Sequence, residues 1–306
     1  MSVAVFGSIN LDITAYMDRL PAPGETLHGH DYKLGLGGKG ANQAVAATKL
    51  GCETSFICRL GHDDFGVAAR RELASYGVDL THVLEDAVGA TGIAIINVAA
   101  GGENFISLIG GSNLAMDGSD VARARPALEK ADVLLLQLEV PLAAALAAAA
   151  VVKAKGGKVV LDPAPAPKDG LAPEVLRAVD LITPNETEAG LLLGWKPSTV
   201  EDGLRAAREL RGRGVGSAIV KLGAKGLAVA SAEEEGIIPA FKVTAIDTVA
   251  AGDTFNGGLA HALEQGQSLL QAARFAAACA AISTTRKGAA SAAPSKAEVQ
   301  AFLAQA

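Results

Sequence analysis

A chain of 306 residues that is half hydrophobic but only 4% aromatic can bury a sizeable core, and its Ala and Gly content suits closely packed helices on a sheet. The net charge of −6 argues against nucleic-acid or anionic-membrane partners, which select basic surfaces. Three scattered cysteines, Cys52, Cys58 and Cys279, show no CxxC or Cys/His metal spacing, which points to a reduced, cytoplasmic protein.

Residues 3–9 read as a short buried strand ending at Asn10 and Asp12, with no basic region that would suggest a signal peptide. A Pro/Gly-punctuated stretch follows, then more extended sequence to Leu36. Gly37-Gly38-Lys39-Gly40 opens a helix over 41–50, stopped by Gly51. A strand is expected over 53–60 and a helix over 65–76, closed by Gly77. Strands over 93–98 and 104–109 are joined by Ala-Ala-Gly-Gly-Glu, which is hairpin chemistry. Alternation then sets in, with strands over 133–138, 158–161, 181–183 and 218–221. Helices over 142–155, from Glu186, and over 200–211 lie between them. Such alternation predicts an α/β fold, a mostly parallel central sheet with helices on both faces. The extended pieces at about 12–36 and 91–109 do not fit it and read as a small projecting sheet. The most apolar segment, 133–152, is broken by Gln137, Glu139 and Pro141, so no membrane helix is expected.

Functional groups in such folds gather where strands end and helices begin. Gly35 to Gly40 matches G-x-G-x-x-G, but the first strand lies far upstream and no acidic residue ends the next strand, which excludes a dinucleotide fingerprint. No Walker-type P-loop occurs. His28 and His30 lack a third ligand and read as solvated. The strongest stretch is Asp247-Thr248-Val249-Ala250-Ala251-Gly252-Asp253, a small-residue turn running into a helix. Its unpaired N–H groups suit a phosphate, and Asp253 is either a helix cap or a functional carboxylate. Asn185 and Glu188, three apart at a helix start, have capping-box spacing as well as the chemistry of a shared oxygen site. Asn10 and Asp12 read as a strand-end turn or ligand contacts, and Glu139 as a surface charge or an acceptor behind an apolar strand.

Gly37-Gly38-Lys39-Gly40-Ala41-Asn42-Gln43-Ala44 resembles the first signature of the ribokinase-type sugar and nucleoside kinases. The stretch from Asp247 to Gly257 resembles the second, and Asn185-Glu186-Thr187-Glu188 the N-x-x-E element. The similarity stays in register from Val3 to about Lys296. It implies a large α/β domain spanning 1–306 with an inserted β-lid, and a homodimer formed through the lid strands. It implies ATP, Mg2+ and K+ as cofactors, with Asp253 as general base. As a carboxylate at a helix start, Asp253 should stay ionised and be a weak base. The N–H groups of Ala250, Ala251, Gly252 and Asp253 would form an anion hole.

By the same resemblance Asn10, Asp12, Gly38, Lys39, Asn42 and Glu139 match sugar-binding positions, with Gly38 letting the backbone come close. Asn185 and Glu188 match the magnesium and phosphate pair, often acting through water. Lys221, Gly223, Ala224, Gly226 and Ala277 match nucleotide positions. Lys221 stands where Thr is often found, and Ala277 where a larger residue can face the adenine. Asp162 departs from the family's Asn. Asp247, Val249, Ser283, Arg286 and Gly288 match potassium ligands, mostly through backbone oxygens, and Ala292 replaces a usual serine. Few aromatics argue against a nucleoside, and a free sugar is expected, with D-ribose favoured and D-ribose 5-phosphate and ADP as products. Kinases of another small, fructose-like sugar or of a nucleoside remain alternatives, as does a non-catalytic sugar-binding regulator.

Overall fold

Strands paired in parallel are covered on both faces and read as unbroken apolar runs. In the computed structural model, which describes residues 2–305, the first such run is β1 (Ser2–Phe6), buried at every residue. The chain then leaves that sheet to form β2 (Asn10–Met17) and β3 (Asp31–Gly37) of a second one. Helix α1 (Lys39–Lys49) returns it to β4 (Glu53–Gly61), α2 (Asp64–Ser75) and β5 (Val83–Asp86). Next, β6 (Gly92–Ala99) and β7 (Asn104–Ile109) complete the second sheet. Two short helices, α3 (Gly118–Arg123) and α4 (Arg125–Lys130), precede β8 (Val133–Leu136), α5 (Leu142–Ala154) and β9 (Lys158–Leu161). They are followed by α6 (Pro173–Ala178), β10 (Leu181–Ile182), α7 (Glu186–Leu193), α8 (Val200–Gly212) and β11 (Ser217–Lys221). The remainder is β12 (Leu227–Ala230), β13 (Glu235–Ile238), α9 (Ala251–Glu264), α10 (Leu269–Thr284) and α11 (Lys296–Leu303).

The large sheet has nine strands in the order β13-β12-β11-β10-β9-β8-β1-β4-β5. Every pair is parallel except β11–β12 and β12–β13. Side chains of β1 alternate between two cores: Val3 and Val5 join α1, α9 and α10, whereas Ala4 and Phe6 join α3 to α8. The small residues of α9 permit very close packing there, since a Cβ on Gly258 would sit 2.8 Å from Cys279 Sγ. The small sheet runs β3-β2-β6-β7, with β2 parallel to β6 and the other pairs antiparallel. It is the projecting lid, and β7 is exposed along its whole length. No helix among the described residues is long and apolar enough to cross a membrane.

Two expected boundaries shift. The first strand stops at Phe6 rather than Ile9, because the Ile9 peptide is taken over by a side chain: Asn113 Oδ1 accepts from Ile9 N and Asn113 Nδ2 donates to Ile9 O. Asn10 therefore opens a lid strand instead of ending a core strand. The strand expected over 133–138 ends at Leu136, and Leu138 N donates instead to Ala164 O at 3.0 Å.

Candidate active site

Strands β1, β8, β9 and β11 all end on the same edge of the sheet, where α1 and α9 also begin, so their terminal residues share one crevice. The start of α1 is closed by the protein itself. Gly38 precedes it with φ 86°, and a Cβ there would lie 2.8 Å from Ile9 Cα. Glycine at this position is thus required by chain packing, not only by an approaching ligand. Lys39 N donates to Glu139 Oε2 at 3.1 Å, Gly40 N to Ser8 Oγ at 3.4 Å, and Ala41 N to Ser8 O at 2.9 Å. Ser8 Oγ also donates to Glu139 Oε2 at 2.5 Å. Glu139 is therefore no idle surface charge: it complements the positive end of α1 from another element.

The start of α9 is different. Its N-cap is Ala250, held in the left-handed region at φ 55° with no side-chain cap, so the capping role open to Asp253 goes unused. Ala251 N donates to Thr248 O at 3.3 Å, while the N–H groups of Gly252 and Asp253 find no acceptor among the described residues. One of the expected anion-hole amides is thus already engaged. Asp253, one turn in and buried, points toward α1: Asn42 Nδ2 donates to Oδ2 and Gln43 Nε2 to Oδ1, each at 3.1 Å. Burial raises the Asp253 carboxyl, Lys39 lowers it, and neighbouring Asp162 raises it again, leaving it at about 6. At pH 7 Asp253 is still mostly ionised, as expected, but it is a stronger base than an ordinary carboxylate because desolvation outweighs the pull of Lys39.

Gln43 was part of the first signature but had no role of its own. Its fully buried amide donates to both Asp253 and Asp162 at 3.1 Å and accepts from Gln137 Nε2 at 2.7 Å. With carboxylates on that side, the amide orientation follows from the chemistry. Asn113 was missed altogether, since nothing local distinguishes it; its Nδ2 also donates to Asn10 Oδ1 at 2.8 Å. Asp12 lies on the same face of β2 as Asn10, its carboxylate seated over Gly37. Burial first, then Glu139 and other acidic neighbours, push Asp12 up to about 7. Burial alone would lower the Lys39 ammonium, but Asp253, Asp162, Glu139 and Glu188 outweigh it and raise it. Asn42 keeps a buried Oδ1 without a partner, free to accept from a ligand.

Beyond Asp253 the crevice opens to about 1220 Å³, lined by Asn185, Glu188, Lys221, Gly223, Ala224, Gly226 and Ala277. The two charged departures from the family pattern meet there: Lys221 Nζ lies 3.4 Å from Asp162 Oδ1, with both side chains largely buried. Lys221 also stands 5.7 Å over the Phe255 ring and beside Gly252. Asn185 and Glu188 do form a capping box, Asn185 Oδ1 accepting from Glu188 N and Glu188 Oε2 from Asn185 N. Burial and Asp162 raise Glu188, so it also belongs to the charged crevice.

Next to α9, Asp247 accepts from Val249 N and from Gly288 N, each at 3.0 Å, and Arg286 N donates to Ser283 O at 3.1 Å. Two of the matched side chains are turned elsewhere. Ser283 Oγ donates to Ala280 O, and Arg286 pairs with Glu298 at 2.6 Å. Only the backbone oxygens of Ser283 and Arg286 remain as donors to a cation. Ala292 is buried in a short turn after Gly288. His30 pairs with Asp18 on the exposed lid and takes no part.

Residues 1–296 match the pfkB family carbohydrate kinase model. The chain is 43% identical over 302 residues to a ribokinase of Haemophilus influenzae, covering 99% of this chain and 98% of that one. It is 38% identical over 303 residues to a deoxyribokinase of Salmonella typhi, covering 99% of each. Its fold superposes with a TM-score of 0.89 on an Arabidopsis thaliana ribokinase structure complexed with ribose and ATP, at 33% identity and covering 99% and 98% of the two chains. The chain belongs to the pfkB family of carbohydrate kinases.

Proposed function

We propose that this member of the pfkB family transfers the γ-phosphoryl group of ATP to the 5-hydroxyl of D-ribose. The observation that carries the proposal is Asp253, a buried carboxylate between the polar groups of the lid and α1 and the large crevice, beside open helix amides. Asp253 takes the hydroxyl proton as that oxygen attacks phosphorus. The loose transition state asks mainly for positioning and charge stabilisation, which the free N–H groups of Gly252 and Asp253 supply, with Ala250 and Ala251 shaping the turn. Asn10, Asp12, Gly38, Lys39, Asn42 and Glu139 bind the sugar, carboxylates accepting from its hydroxyls.

Lys221, Gly223, Ala224, Gly226 and Ala277 line the nucleotide's path. Asn185, Glu188 and Asp162 offer the hard oxygen donors that Mg2+ prefers, and the ion when bound would neutralise phosphate charge. Asp247 and the backbone oxygens of Val249, Ser283, Arg286, Gly288 and Ala292 suit K+ in the same way. A homodimer through the lid is supported by exposed Tyr32, Leu34, Ile95 and Phe105, which share one face of the small sheet and would be buried against a second lid. A cytoplasmic location is consistent with the three free, buried cysteines.

The test is coupled ADP release over D-ribose, 2-deoxy-D-ribose, fructose and nucleosides, with and without K+. The highest kcat/KM is expected for D-ribose. Loss of a hydroxyl that a buried acceptor was built to meet costs about 1–3 kcal/mol, placing deoxyribose roughly ten- to a hundredfold lower. A higher value for fructose or a nucleoside overturns the sugar assignment.

A further inference from the structure

Helix α9 carries a second polar cluster at its other end, outside the crevice. His261 and Glu264 stand three residues apart on one face of its last turns, and Cys52, from the turn between α1 and β4, meets them there. Cys52 Sγ lies 3.3 Å from His261 Nδ1, and one ligand atom from each of the three lies within 4.8 Å of the others. Their exposures are only 8%, 3% and 6%, and Glu264 Oε2 is enclosed without a hydrogen-bond partner. Glu264 ends α9, where the unpaired carbonyls disfavour an anion and favour a cation. Phe275 closes one side of His261, its ring 5.4 Å away. Burial holds the imidazole down at about 4, hence neutral and able to ligate. Burial first, then Glu264, push the Cys52 thiol well up, and Lys296 opposes them only in part, so a metal must displace a firmly held proton.

We propose that Cys52, His261 and Glu264 bind one divalent ion of the zinc class, with water completing the shell. Bond lengths of roughly 2.0–2.3 Å to S, N and O set tetrahedral donors about 3.3–3.8 Å apart, so Cys52 and His261 already have suitable spacing. Glu264 would bring in the oxygen that now has no partner, and Cys52 would release its thiol proton to solvent. The sequence separation of 209 between Cys52 and His261 hides this constellation from any spacing rule.

Chelator-treated full-length protein, held in saturating Mg2+ and ADP to fill the crevice, is titrated with Co2+ alone. One equivalent should produce a near-ultraviolet thiolate-to-cobalt band and visible bands of four-coordinate intensity, both erased by one equivalent of Zn2+. Cys52→Ser should lose the charge-transfer band while keeping its circular dichroism and kinase turnover, and Glu264→Gln should bind more weakly. Absence of the band, or its survival in Cys52→Ser, overturns the proposal, since Cys58 and Cys279 remain in that variant. Should Cys52→Ser not fold, zinc-edge X-ray absorption of the wild-type protein decides the matter: a shell without sulfur overturns it too.

Discussion

The starts of α1 and α9 look alike in sequence, each a run of small residues leading into a helix. In space they are opposites. At α1 three successive amides are taken by Glu139, Ser8 Oγ and Ser8 O. At α9 the amides of Gly252 and Asp253 have no acceptor among the described residues, and the preceding Ala250 is held at φ 55°. Every helix start has orphan donors, and it becomes an anion site where the surrounding fold withholds its own oxygens. That difference separates a structural glycine run from the turn proposed for phosphoryl transfer.

The sharpest way to break the comparison is Asp253→Asn. It should lower kcat on the order of a thousandfold, as removing a general base does, while calorimetry still detects sugar binding. In the wild-type enzyme kcat/KM should fall below pH about 6, where Asp253 takes up its proton, and this acid limb should be absent from the residual activity of the variant. Because the folded state raises this carboxyl above its ordinary value of 3.8, its protonated form favours folding and its ionisation above pH 6 opposes folding. Asp253→Asn should therefore raise Tm at pH 8 more than at pH 5. Turnover near the wild-type level would remove Asp253 from the chemistry.

A smaller effect is expected at the closed start. Glu139→Ala leaves Lys39 N and Ser8 Oγ without their charged acceptor and should cost about 1–2 kcal/mol in denaturant titrations. KM for the sugar should rise while KM for ATP stays near its original value. Equal rises in both would mean that the two sides of the crevice are not separate. The smallest effect concerns backbone strain at the open start. Ala250→Gly should stabilise the protein by up to about 1 kcal/mol, because glycine adopts the left-handed region without the Cβ clash. A loss of stability in the same titration would show that Ala250 is held by its packing rather than strained.

Much of the site was legible because its signatures are local. The glycines before α1, the small turn before Asp253 and the Asn185–Glu188 spacing announce themselves within a few residues. Gln43 and Asn113 were not legible as determinants, since an amide looks the same in sequence whether it faces solvent or bridges two buried carboxylates. The two charged departures, Asp162 and Lys221, looked like separate anomalies until the sheet set them 3.4 Å apart. The two are opposite charges in a place that already holds Asp253, Lys39 and Glu188, and a buried charge is costly unless paired.

Sequence alone determined the alternation of the main strands and helices, a second small sheet and the family, because period, turn chemistry and motif spacing depend on near neighbours along the chain; the short elements β5, β12, β13, α3, α4 and α6 carry too few residues to show a period. Tertiary structure decided which helix amides stay open, how strongly Asp253 holds its proton, and which distant side chains meet, as with Cys52, His261 and Glu264. Those properties depend on desolvation and on contacts between segments up to hundreds of residues apart, and only the packed sheet and its helices bring such segments together.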